Sequence, residues 1–208
     1  MRTPNTPPDG WPTDTRRVDD RVHGRDRYSV ALTVRPAHSR DAAALAELGA
    51  GAFCATYIGL LDDTTIEAVV AQTCTPPAFV ELADRPEPNR LLVADEDGVL
   101  QGFLDFAREP EGLELRRLYT RPGETSRGVG GALLAALEAT LAAGTTYRIV
   151  VVPGNVRGLA FWKRHGFCEQ GGVDGIEHFA AHRNVQFQPG SRSAPLLVLH
   201  RSITHSDT

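Results

Sequence analysis

Apolar residues recur along this chain at two periods, and the switches between those periods divide it into elements. Val30, Leu32 and Val34 alternate with other residues up to Pro36, which predicts a first strand. Over residues 42–57 the spacing becomes helical, with Leu45, Leu48 and Ala52 on one face and Ser39 or Asp41 as the cap. A second helix is predicted over residues 63–72, capped by Asp62 or Asp63 and carrying Ile66, Val69 and Val70. Residues 76–89 hold Pro76, Pro77, Pro86 and Pro88 and read as a connection. Beyond it, residues 90–94 and 99–107 form a hairpin about the Asp97-Gly98 turn. The turn EPEG at 109–112 then leads into the next strand, from Leu113 and Glu114 to Thr120, which stops at Pro122.

The rest of the chain is organised around that strand and the glycine-rich loop after it, GETSRGVGG. Gly128, Gly130 and Gly131 leave backbone amides uncovered where a helix over residues 128–143 begins, with Leu133, Leu134, Leu137 and Leu141 on one face and Gly144 as its stop. A helix start has about four N–H groups without partners and roughly half a positive charge, so such a lead-in can hold an anion. Glycines there serve a turn equally well. The loop lacks G-x-x-x-x-G-K-[ST], and Leu133 stands where a dinucleotide fingerprint needs its third glycine. Next, YRIVVV at 147–152 predicts a strand buried on both faces. A helix follows from Asn155, its natural cap, to Gly166. Residues 167–179 and 195–203 read as a closing hairpin, whose connection at 180–194 holds Arg183, Pro189 and Arg192 and is long enough to suggest function.

Composition bounds this picture. The 208 residues, 41% of them hydrophobic, suffice for one domain with a substantial core, expected over residues 30–204. Residues 1–29, rich in proline with mixed charge, are expected to form a disordered or loosely docked tail in which Trp11 is the one large apolar group. A net charge of −4 argues against a nucleic-acid partner. Cys54, Cys74 and Cys168 are too few and too scattered for a zinc set or a disulfide framework, so no metal and a reducing compartment are expected. No window reaches the ~18 apolar residues of a membrane span, and the start lacks a signal-peptide core, so a cytoplasmic protein is expected.

LYTRPGETSRGVGGALL resembles the acetyl-CoA-binding segment of the GCN5-related N-acetyltransferases, with the loop pattern Q/R-x-x-G-x-G/A falling on residues 125–130 and Thr125 in place of Gln or Arg. NVRGLAFWKRHGF at 155–167 is similar to that family's N-x-x-A-x-x-F-Y-x-x-x-G-F helix, with Trp162 at the tyrosine position. The resemblance implies an α+β, three-layer fold of about four helices around a mixed, mostly antiparallel sheet, in which two strands splay apart to admit the pantetheine arm. It implies acetyl-CoA as cofactor and transfer to a primary amine, most simply of a small molecule, by direct attack in a ternary complex. Two alternatives stay open: transfer to a protein amino group, or a module that binds acyl-CoA without turnover. Dimers are frequent in the family.

By motif position, the resemblance assigns the pyrophosphate to Ser126, Arg127, Gly128, Val129, Gly130 and Gly131, and the thioester arm to the strand edge at Leu118, Tyr119 and Thr120. Asn155 and Trp162 would complete the cofactor contacts. Glu114 stands where protein-lysine-acetylating relatives have a glutamate base, with Asp105 and His178 in reserve. Indole cannot give up a proton near neutrality, so the acid falls to water or to Tyr119. Tyr57, in a sequence FCATY like that of polyamine acetyltransferases, joins Asp105 and His178 as substrate contacts, and Asp62, Asp63 and Glu67 could attract a cation.

Overall fold

A computed structural model describes residues 32–123, 128–183, 185–187 and 193–204. Seven strands form one sheet: β1 (Thr33–Pro36), β2 (Arg90–Glu96), β3 (Val99–Glu109), β4 (Gly112–Thr120), β5 (Thr146–Val151), β6 (Cys168–Asp174) and β7 (Pro195–Ser202), in the spatial order β1-β2-β3-β4-β5-β7-β6. Every pairing is antiparallel except β4 with β5. Six α-helices cover it: α1 (Ala42–Tyr57), α2 (Asp63–Thr73), α3 (Pro76–Ala83), α4 (Val129–Glu138), α5 (Val156–Arg164) and α6 (Gly175–Arg183). None of the described helices is long and apolar enough to cross a membrane.

The two-residue period of the strands sorts their side chains to opposite faces. Leu92, Leu104, Phe106 and Leu115 go to one side, where they meet Leu133, Leu134 and Leu137 of α4 and Trp162 of α5. Leu91, Val93 and Phe103 go to the other, against Leu45 and Leu48 of α1 and Phe79 of α3. A smaller cluster of Phe53, Ile66, Val69 and Val185 lies beside the second core, with Tyr57 and Tyr119 packed against it.

Three expectations from sequence need correction, and with them the count of about four helices. Residues 76–83 are helical because Pro76 and Pro77 occupy the first turn, where a missing N–H costs nothing, and Thr75 caps it by accepting from Ala78. Helix α4 ends at Glu138, well short of residue 143, and the Thr140 hydroxyl donates to the carbonyl of Leu137. Strand β6 stops at Asp174 and gives way to α6, so residues 175–183 are neither strand nor loop. Asp174 accepts from the amide of Glu177 there, the spacing of an N-terminal cap.

The sheet and α4 approach closely at Gly102. A Cβ at this position would stand 2.7 Å from the backbone oxygen of Tyr119 and 3.0 Å from Cγ1 of Val129. Gly102→Ala is therefore expected to destabilise the protein by about 1–3 kcal/mol, read as a lower urea midpoint with an unchanged slope.

Candidate active site

β4 and β5 are paired only at Leu113 with Tyr147 and Glu114 with Arg148. Beyond those two pairs the strands part, while β4 stays on β3 as far as Thr120. The C-terminal half of β4 thus has a free edge facing the gap. Within β4 an extra residue, Arg116, is inserted, since Asp105 pairs with Arg117 and Phe106 with Leu115. The bulge keeps Leu115 in the core against α4 and turns both Arg116 and Arg117 toward the opposite side.

On that side lies a cavity of about 30 Å³ between the parted strands, α1, α2 and α6. Tyr57, Tyr119, Cys74 and His178 line it together with Arg116, Arg117 and Arg183. The segment 185–187 is held to α2 through Val185, which is buried beside Ile66 and Val69, and through paired bonds: Gln72 Nε2 donates to the carbonyl of Gln186, and the amide of Gln186 donates to Gln72 Oε1.

Behind the cavity sits Glu114, whose side chain has 0% exposure. Its Oε2 accepts from Arg148 Nε at 3.0 Å, and its Oε1 lies 3.4 Å from both Arg183 Nη2 and His178 Nε2. Burial pushes this carboxyl up, but the hydrogen bond from His178 and the charges of Arg183, His178 and Arg148 outweigh it and hold the pKa at about 2. A carboxylate so held is a poor proton acceptor near neutral pH, and its oxygens are already engaged. Asp105, 2% exposed, is similarly committed: Arg117 donates to its Oδ2 from Nε at 3.1 Å and Nη2 at 2.9 Å. Burial raises the Asp105 pKa, and the surrounding arginines, Arg117 first, bring it below its ordinary value.

Tyr57 and Tyr119 both line the cavity, and the ring of Phe53 lies against each, 4.6 Å from Tyr57 and 6.3 Å from Tyr119. Burial pushes both phenols up, Tyr119 well above the usual value, so both remain protonated at neutral pH. Their rings are fixed by neighbours: Tyr57 lies 4.6 Å from Phe53, and Tyr119 lies 5.7 Å from Phe103. The Cys74 thiol is pushed up by burial and is therefore a weak nucleophile.

On the far side of the sheet, α4 opens with Gly128 at φ 76°, without a side-chain cap, and its first intrahelical bond runs from Ala132 to Gly128. The amides of Val129, Gly130 and Gly131 consequently have no partner within the helix. A Cβ on Gly130 would come within 3.2 Å of Leu118 Cδ2 and 3.3 Å of the Phe161 ring, so a larger residue there would press on the side chains of β4 and α5. Ser126 and Arg127 lie outside the described residues. Thr120 pairs with Gly102 at the end of β4. Asn155 caps α5 by accepting from Gly158 at 2.9 Å. Trp162 is 5% exposed and stacks edgewise on Phe161 and Phe167 in the core, while the half-buried Phe161 turns toward the start of α4.

The fold thus gathers Tyr57, Tyr119 and His178 at one cavity, and sets Glu114 and Asp105 in the wall behind it. Sequence reasoning did not single out Arg116, Arg117, Arg148 or Arg183 as site residues. The Asp174-x-x-Glu177 spacing was the available signal for α6, which carries both His178 and Arg183. Nothing in the one-dimensional pattern announced the bulge.

A family profile described as "Acetyltransferase (GNAT) family" matches residues 59–167, just over half of the chain. No curated protein matches it. Among solved structures, the PaiA N-acetyltransferase of Thermoplasma acidophilum in complex with coenzyme A is 19% identical, with a TM-score of 0.63 over 83% of this chain and 99% of that one. YncA of Salmonella typhimurium, solved with acetyl-CoA, is 18% identical, with a TM-score of 0.56 over 85% and 96%. The ribosomal-protein-alanine N-acetyltransferase of Brucella melitensis is 20% identical, with a TM-score of 0.56 over 82% and 99%. These likenesses establish a shared fold.

Proposed function

The chain belongs to the acetyltransferase (GNAT) family, and we propose that it transfers the acetyl group of acetyl-CoA to the primary amine of a small molecule, both bound at once. The observation that carries this reading is the cavity beyond the parted strands. Among the described residues that line it, His178 alone carries an imidazole, and protonated phenols stand opposite.

Acetyl-CoA supplies an acetyl group activated as a thioester. The residues present fit it: unpartnered amides at Val129, Gly130 and Gly131 suit a pyrophosphate, with Ser126 and Arg127 assigned by the motif, and the free edge of β4 at Leu118, Tyr119 and Thr120 suits an extended amide-bearing arm. His178 takes the proton that the acceptor nitrogen loses, and Glu114 holds its imidazole in place and balances the charge it gains. Tyr119 gives a proton to the departing sulfur, the task that Trp162 cannot perform. The rings of Phe53 and Phe179 in the cavity wall limit water at the site.

The test is thiol release from acetyl-CoA across a panel of amines, peptides and amino acids, with thermal shift on the same samples. Amine-dependent release supports the reading. A shift without release from any acceptor would leave a binding module, and neither would sink the cofactor assignment. Tyr119→Phe keeps the ring packing and removes the proton, so kcat should fall about 100-fold while stability changes by no more than about 1 kcal/mol.

A further inference from the structure

The charged lining of the cavity is cationic. Arg116, Arg117 and Arg183 reach its wall, and among the described residues no Asp or Glu does. Their counter-ions stand behind them: Glu109 on Arg116, Asp105 on Arg117, and Glu114 on Arg183. Glu114 is shared, because it also serves Arg148. Three buried carboxylates therefore face four guanidiniums. The remaining acid, Glu111 on Arg148, has a half-exposed side chain and is screened by water.

The three lining arginines are not equivalent. Arg117 is committed: beyond Asp105 it donates Nη1 to the carbonyl of Thr73 and lies over the rings of Phe79 and Phe103 at 5.0 and 5.6 Å. Arg116 is locked to Glu109 through Nε and Nη2. Arg183 is held less completely. Its Nη2 bonds the carbonyl of Arg116 at 2.6 Å and lies 3.4 Å from Glu114 Oε1, and its buried Nε has no hydrogen-bond partner among the described residues. An unmet donor on a buried cation is costly, and it leaves Arg183, of the three, with hydrogen-bonding capacity to spare.

We propose that the acceptor is an amine bearing a carboxylate, of amino-acid type, whose carboxylate is bound by Arg183 in this cavity. The inference rests on the acetyl-transfer reading above. A guanidinium presents a fork matched to the two oxygens of a carboxylate, and a cavity of about 30 Å³ admits such a headgroup. The same excess of positive charge favours the neutral form of a nearby amine, the form that attacks. Polyamines are disfavoured for the same reason. The acidic residues that sequence offered for a cation do not line the cavity: Asp62 accepts from Thr65 as the cap of α2, and Asp63 and Glu67 are exposed.

The experiment uses acetyl-CoA and matched pairs that differ by the carboxylate: glycine and methylamine, leucine and isopentylamine, phenylalanine and phenethylamine, with spermidine added. Wild type, Arg183→Gln and Arg183→Lys are compared by thiol release and by calorimetric binding to the acetyl-CoA-loaded protein. The carboxylate member of at least one pair should show kcat/KM higher by about tenfold or more. Arg183→Gln should bring that ratio toward one through KM, and Arg183→Lys should retain part of it. Equal or better use of the decarboxylated partners or of spermidine, or a ratio unmoved by Arg183→Gln, overturns the inference and leaves acetyl transfer standing. Carboxylate-selective binding without thiol release keeps the carboxylate site at Arg183 and sinks the transfer reading, and with it the ligand's role as acceptor. Binding of neither member of any pair overturns the inference. If Arg183→Gln does not fold by circular dichroism, the charge-conserving Arg183→Lys carries the comparison, and an unchanged ratio there overturns it.

Discussion

Glu114→Gln is expected to lower the thermal midpoint by about 10 °C. The substitution preserves shape and removes the buried charge that Arg183 and Arg148 share, in a site where Glu114 has 0% exposure. Breaking a buried ion pair by neutralising one partner leaves the other charge uncompensated and costs roughly 3–5 kcal/mol, and in a domain of this size each kcal/mol moves the midpoint by about 2–4 °C. Thermal and urea unfolding of the variant beside wild type measure it. A variant that melts like wild type yet has lost its rate would instead give Glu114 the role of base that its strand position suggests.

The same carboxylate links stability to acid. Its pKa is about 2 in the folded protein against an ordinary value of 4.5, so the native state holds its ionised form more strongly than the unfolded chain does. The resulting stabilisation, about 3 kcal/mol, is complete above pH ~5 and is lost as the pH falls through about 2. In Glu114→Gln this component of the acid dependence should be absent, and its persistence would mean that other carboxylates carry it.

His178→Ala should reduce kcat by about 10²–10⁴, the range over which a positioned acid–base group contributes. His178 is 5% exposed, lines the cavity and stands 3.4 Å from Glu114. Steady-state thiol release across pH separates a base from a merely packed ring. Loss of the base should flatten the rate profile as well as lower it, and an added small imidazole should restore part of the rate. A uniform fall with an unchanged profile would assign His178 to packing.

Much of the architecture was legible because it depends on local patterns. The strand ending at Thr120, the glycines at 128, 130 and 131, the Asn155 cap and the buried run at 147–151 each follow from period, turn chemistry or capping within a few residues. Where local signals conflicted, the reading failed. Pro76 and Pro77 look like breakers until they fall in a first helical turn, and α6 was hidden because its apolar residues, Ile176 and Phe179, make too weak a stripe. The chemistry was legible only as residue types. Trp162 stands at the motif's tyrosine position, yet its ring goes to the core while Phe161 faces the start of α4.

The sequence by itself determined an α+β domain with a glycine-rich helix start beside a central strand, because backbone conformation and amphipathic period are set by near neighbours. The tertiary structure alone decided which groups share the cavity and in what state. Residues 114, 148, 178 and 183 come from β4, β5 and α6, and only their convergence gives Glu114 its partners. The bulge at Arg116 decided the sign of the lining by sending two consecutive arginines to one wall. Charge and burial act through space over a few ångströms, and the chain order carries no record of those distances.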